Sequence, residues 1–205
     1  MVGSTEVAAP HPTSSRAART VTEAFAPAVW ATAMPLAVAL HATAPSWFAG
    51  LGWGLLAVLF GSLVPYGIIY FGVRRGTLTD HHIGVREQRR KPLVYGLFSL
   101  LAGLVVLVLL GAPRPLVAMV VVMFAVLLVT TGINQVWKLS AHAAVSAGSA
   151  GVLINVFGPA LLVVVPVVAL VAWSRVRLRD HTTSQVLAGA AVGVLVAVPT
   201  FLVLS

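Results

Sequence analysis

Apolar residues run along this chain in long blocks, broken by three short polar islands and a few strong turn signals. The blocks fall at about 27–44, 47–73, 93–112, 115–134, 142–158, 159–174 and 182–204. Most are long enough to cross a ~30 Å hydrocarbon core as a helix, which takes roughly 20 residues. Between His142 and Ser174 the pattern alone allows a single helix. At 1.5 Å per residue it would run about 48 Å, well past that core. Gly158-Pro159 sits at its midpoint and predicts a break into two short legs. Ala112-Pro113-Arg114-Pro115 predicts a tight turn between the two preceding runs. The fold class expected is therefore all-α, a polytopic transmembrane bundle of six to seven helices.

The run 47–73 contains Gly52, Gly54, Gly61 and Pro65, which predicts a tilted or kinked helix. Residues 1–23 are rich in Ala, Ser, Thr and Pro and read as a disordered tail, leaving 24–205 as one membrane domain. Arg16 and Arg19 before the first run, and Ala42-Thr-Ala44 at its end, share the layout of a secretory signal and its cleavage site. The long preceding tail and the immediate start of the next run favour a retained helical hairpin. Cleavage would leave six crossings.

Composition agrees with the pattern. Hydrophobic residues make up 59% of the 205 and charged residues 9%, against about a quarter in soluble domains. Cysteine is absent, which excludes disulfides, thiolate catalysis and Cys-ligated zinc. Thirteen Lys and Arg against five acids give a net charge of +8. Most of it lies in two loops, where it serves either as topogenic charge or as a partner for anionic headgroups and phosphates. Partners expected are membrane lipids, with no nucleic acid; the location expected is the cell membrane.

Successive hairpins deliver the polar islands 74–91, 134–142 and 174–181 to one membrane face. His142 and His181 each fall at the expected N-terminus of a membrane helix, where unpaired N–H groups and the helix dipole suit an anion. Ser140 and the hydroxyls from Thr182 to Ser184 are capping candidates beside them. Arg175 ends the preceding helix, and a guanidinium can grip two phosphate oxygens at once. Taken singly, each histidine is more readily just an interfacial polar residue. Two of them on one face with Arg175 and Lys138 point to a phosphate site.

These residues resemble the type 2 phosphatidic acid phosphatase superfamily of membrane and haloperoxidase-like enzymes. Ser174-Arg175, five residues, then His181 matches the spacing of that family's third signature, and Gln185 to Gly193 continues into a Gly-rich helix. Leu139-Ser140-Ala141-His142 matches the second signature, Pro-Ser-Gly-His, in two of four places. The resemblance covers about 134–204. It implies phosphoryl transfer through a phosphohistidine, with His181 as nucleophile and His142 as general acid. Arg175 and other cations would hold the equatorial oxygens, with amides of Ser140 and Ala141 nearby. It implies no metal and no cofactor, and a lipid or polyprenyl phosphate substrate.

Three positions depart from the family pattern. Gln185 stands where an Asp orients the nucleophilic His, and Ala141 replaces Gly. The first signature, Lys, six residues, Arg-Pro, is missing on the expected face; Arg114-Pro115 lies on the other. Arg86, Arg89 and Lys138 are the substitutes expected to bind phosphate, with Asp80, Glu87 or Gln185 as orienting groups. A solvated topogenic loop explains 80–89 equally well.

Two other functions remain open on the sequence. A family member without turnover would bind or carry anionic lipid. A helical-bundle prenyltransferase would need Asp-rich motifs for Mg-diphosphate, and the chain has only Asp80 and Asp180. The shared side of the cations is cytoplasmic by the positive-inside rule, whereas many relatives face their site outward.

Overall fold

The computed structural model describes residues 12–79, 88 and 90–205. Helices dominate, and there is no strand among the described residues. In order they are α1 (Pro12–Ala24), α2 (Pro27–Ala42), α3 (Trp47–Val58), a π-helical turn (Leu59–Leu63), α4 (Val64–Arg74), α5 (Arg90–Leu109), α6 (Arg114–Val136), α7 (Ala141–Phe157), a 3₁₀ turn (Pro159–Val164), α8 (Val165–Arg177) and α9 (Thr183–Leu204). Six helical spans are long and apolar enough to cross a membrane, and α7 is a shorter apolar helix beside them. Large apolar side chains such as Phe48, Phe98, Leu195 and Val203 point outward, as a lipid-facing surface requires. The protein is a multi-pass, all-α membrane bundle.

Each helix stops where the sequence supplies a reason. Gly158 takes φ 89°, a conformation that L side chains rarely adopt, and Pro159 starts the return leg. The stretch 142–174 is thus a hairpin and not one long helix. Pro113 precedes α6, and Gly111 (φ 75°) closes the preceding turn.

The 47–74 span is one irregular helix. Val64 N–H bonds to Leu59 C=O, which is π register. In that register the Phe60 carbonyl should receive the N–H of residue 65, and Pro65 has none. The Ser99 hydroxyl of α5 donates to that carbonyl instead, at 2.6 Å. Pro and π-bulges are the usual places where a helix changes direction.

Packing relies on close backbone approach. A Cβ on Gly50 would fall 2.8 Å from Leu40 Cα, so α3 lies tightly on α2. On α9, Gly189, Gly193 and Ala197 recur every fourth residue and seat that helix against α7. The main core joins Trp30, Met34 and Val38 of α2 with Met119, Val122 and Val126 of α6, Ala144 of α7 and Phe201 of α9.

The expectation of a disordered tail over 1–23 is corrected from residue 12 onward. Residues 12–24 form α1, which packs on α8. Ala18 and Thr22, four apart on one face, are buried there. Thr22 Oγ1 and Ser174 Oγ lie 3.0 Å apart. Ser174 Oγ already donates to Val171 C=O at 2.8 Å, so Thr22 is the donor.

Candidate functional site

A cavity of about 860 Å³ opens among α2, α4, α5, α6 and α7. Its polar end holds Glu23, Asn134, His142, Arg175 and His181, and the rest of its wall is almost wholly apolar. Residues of two polar islands of the sequence, 134–142 and 174–181, are therefore brought together at that end, and the described residues of 74–91 do not line it.

Local backbone geometry places each of these groups. The chain leaves α8 through a Schellman turn. Asp180 N–H donates to Arg175 C=O at 3.2 Å, and Arg179 N–H donates to Val176 C=O at 3.0 Å. Arg179 takes the left-handed position with φ 59°, where glycine is usual. His181 N–H also donates to Arg175 C=O, at 3.3 Å. The Ser-Arg-to-His spacing is thus the length of one helix-terminating turn. That turn folds His181 back beside Arg175.

His181 precedes Thr182, the N-cap of α9. Thr182 Oγ1 accepts from Gln185 N–H at 3.3 Å, and Gln185 Oε1 accepts from Thr182 N–H at 3.1 Å. This reciprocal capping box fixes the start of α9. Ser140 caps α7 in the same way, its hydroxyl accepting from Ala143 N–H at 3.4 Å. The Ser140 N–H donates to Gln185 C=O at 3.3 Å and ties the two helix starts together. His142, in the first turn of α7, and His181, just before α9, thus line the cavity from two helix starts that these bonds join. Two positive helix ends converge on the polar end of the cavity.

Arg175 is 4% exposed. Its Nη2 forms an ion pair with Asp180 Oδ2 at 3.1 Å, while the Asp180 side chain stays 44% exposed. A guanidinium withdrawn from water needs such a partner, because an uncompensated buried charge is costly. His142 and His181 are each 6% exposed.

Several expected site residues fall elsewhere. Ser140 is fully buried and does not line the cavity; its hydroxyl caps α7, and its amide bonds across to α9. Gln185 Oε1 accepts from the Thr182 amide, and Gln185 does not line the cavity either. Lys138 is half-buried in the linker before α7 and does not line the cavity. Arg86, Arg89, Asp80 and Glu87 lie outside the described residues. Ser174, at the head of the motif, is fully buried in the α1–α8 contact.

Three residues join the site without having been read from sequence. Asp180 is the ion-pair partner of Arg175, and its only sequence signal is its position at the end of the Schellman turn. Asn134, whose Nδ2 donates to Thr130 C=O at 2.8 Å, lines the polar end from α6. Glu23 reaches it from the end of α1. A buried cation, two imidazoles and two helix N-termini above an apolar chamber can hold an anionic head with a hydrocarbon chain attached. No protein-family model, curated protein or solved structure matches this chain.

Proposed function

We propose that the protein is a membrane phosphatase that removes phosphate from a lipid or polyprenyl phosphate through a phosphohistidine. The observation that carries this reading is the grouping of His142, Arg175 and His181 at the polar end of an otherwise apolar 860 Å³ cavity. The Ser-Arg-to-His spacing and the Ser-Ala-His sequence, similar to the type 2 phosphatidic acid phosphatases, support it further.

In this mechanism an imidazole nitrogen of His181 attacks phosphorus in line with the ester oxygen. A P–N bond forms as the P–O bond breaks, and His142 gives its proton to the departing oxygen. Water then attacks the phosphohistidine and passes a proton to His142. Inorganic phosphate leaves, and His181 is restored. Arg175 and the α7 and α9 N-termini hold the charge that the phosphoryl group carries in the transition state. An imidazole serves both histidine roles because it gains and loses a proton near neutral pH.

The purified protein should release phosphate from phosphatidate, phosphatidylglycerol phosphate or a polyprenyl phosphate in detergent. His181→Ala should abolish that release, and unchanged release would refute the mechanism. A second reading is an anionic-lipid binder without turnover. It is favoured by the commitment of Gln185 to capping, which leaves that position without the carboxylate that would stabilise a cationic His181. Gain of phosphate release by Gln185→Asp from an inactive wild type would decide for the second reading.

A further inference from the structure

The cavity is open to the surface where α2 and α4 part. Helix α2 packs along α3, whereas α4 packs on α5; α2 and α4 have no extensive contact among the described residues. The change of partner falls at the π turn and Pro65, where the helix is free to change direction. On the α2 side, Thr32 Oγ1 donates to Ser62 Oγ at 2.8 Å, and Ser62 Oγ lies 3.2 Å from Ala28 C=O as its donor. Those bonds hold α2 to the π turn. Toward the polar end α4 runs on along α5 without packing on α2, and the two helices bound a wedge in the cavity wall.

Val29, Leu63 and Tyr66 form the rim of the wedge: all three line the cavity and are 45%, 59% and 45% exposed. Inside, Met119, Met123, Val126 and Thr130 recur at helical spacing along one face of α6 and lead up to Asn134. At 1.5 Å per residue, the distance from Met119 to Asn134 is about 22 Å, most of the thickness of one bilayer core. The wedge is thus an apolar slot, open on its side, running into the polar end where Arg175 pairs with Asp180 beside His142, His181 and Glu23.

We infer that the slot between α2 and α4 is the lateral portal through which the hydrocarbon chain of a phosphate-headed bilayer amphiphile enters the cavity. The occupant follows from the continuity of the slot with Arg175 and the two helix N-termini. A purely apolar ligand would leave that end unused, and a free phosphate would leave the apolar length unused. The inference deepens the proposed phosphatase reading and rests on it for the nature of the headgroup.

The test uses the full chain in lipid nanodiscs, with a phosphatidate carrying a diazirine midway along one acyl chain. Mass spectrometry then maps the photolabelled residues. Label is expected on Leu36, Leu100 or Met123 inside the cavity. Because the chain has no cysteine, Val29→Cys and Tyr66→Cys are the only thiols in a double variant, and a bis-maleimide joins them across the slot. Bridging should cut interior labelling by about tenfold, equivalent to about 1.4 kcal/mol of lost occupancy. The unbridged double variant should label like wild type.

Val29→Trp narrows the slot without any reagent and should lower interior labelling in the same direction. A diacylglycerol with the same photoreactive chain should label the interior less, because it brings no anion to Arg175. Interior labelling that survives the bridge, or label confined to outer residues such as Phe98 and Leu195, would overturn the portal. Photolabelling reads occupancy and not turnover. Absence of phosphate release from wild type would therefore count against the phosphatase reading alone.

Discussion

Gly193→Ala is the substitution on which the geometry of the α7–α9 pair can be judged most sharply. An ideal Cβ at Gly193 would lie 2.0 Å from the carbonyl oxygen of Ala144, 2.8 Å from its carbonyl carbon and 2.9 Å from its Cα. Ordinary van der Waals contact for such a carbon begins near 3.4 Å. The deficit of about 1.4 Å falls on backbone, which has no rotamer to yield, so α7 has to move as a whole. Ala144 and Ala197 are fully buried beside it, which leaves no slack to absorb the shift. Overpacking of a tight core costs typically about 1–3 kcal/mol, and a clash with backbone belongs at the upper end. For a chain of this size that corresponds to a fall of about 5–10 °C in Tm.

The displacement also acts on the site. His142 rides on the first turn of α7, and His181 is fixed to the start of α9. Spreading the two helices moves the two imidazoles apart. Thermal unfolding in detergent, followed by the fraction remaining monodisperse, reads the stability. Gly132→Ala is the control, since a Cβ there meets nothing within 4 Å. It should be neutral or slightly stabilising, because Ala is a better helix former than Gly. If Gly193→Ala and Gly132→Ala unfold at the same temperature, the close approach of α7 and α9 is wrong.

The π turn and the α8 terminus give two further tests. Ser99→Ala should cost about 1 kcal/mol, because it strips a side-chain donor from a part-buried carbonyl. In a Pro65→Ala background residue 65 regains an N–H, so the same change should cost clearly less; equal costs in both backgrounds, measured by thermal unfolding, would refute the account of the π register. Arg179→Gly should raise stability by about 0.5–1 kcal/mol, since a non-glycine residue at positive φ is strained by roughly 1–2 kcal/mol and part of the relief is lost to the greater freedom of glycine when unfolded. A lowered Tm for that variant would show that Arg179 makes a contact worth more than its strain.

The membrane hairpins were legible because hydropathy reports them directly, and Gly158-Pro159 marked a break that length alone required. Helix α1 was not legible. Its buried stripe consists of Ala18 and Thr22, residues too small or too polar to register as an apolar face. The partner of Thr22 is Ser174, 152 residues away, which no local pattern can announce. Arg175, His142 and His181 stood out because charge and imidazole are rare in an apolar chain. Asn134 and Glu23 did not, since their place at the cavity depends on how α1 and α6 approach α7.

Ser140 and Gln185, expected at the phosphate, both serve as helix caps in the folded chain, and for one physical reason. A helix N-terminus offers unpaired N–H groups, and hydroxyl or amide side chains are selected there both to cap the helix and to frame an anion. Sequence cannot separate the two uses. In the folded chain capping takes the third amide of each helix: Ala143 N–H goes to Ser140, and Gln185 N–H goes to Thr182. The Ala141 N–H, at the very start of α7 and on the cavity wall, has no acceptor among the described residues. Of the two amides expected beside a phosphate, Ser140's is consumed in joining α7 to α9, and Ala141 lines the cavity. Capping and the joining of the two helices are therefore successive layers of one helix end. The Ser140 side chain caps α7, and its N–H, bonded to the Gln185 carbonyl, ties the two helix starts together.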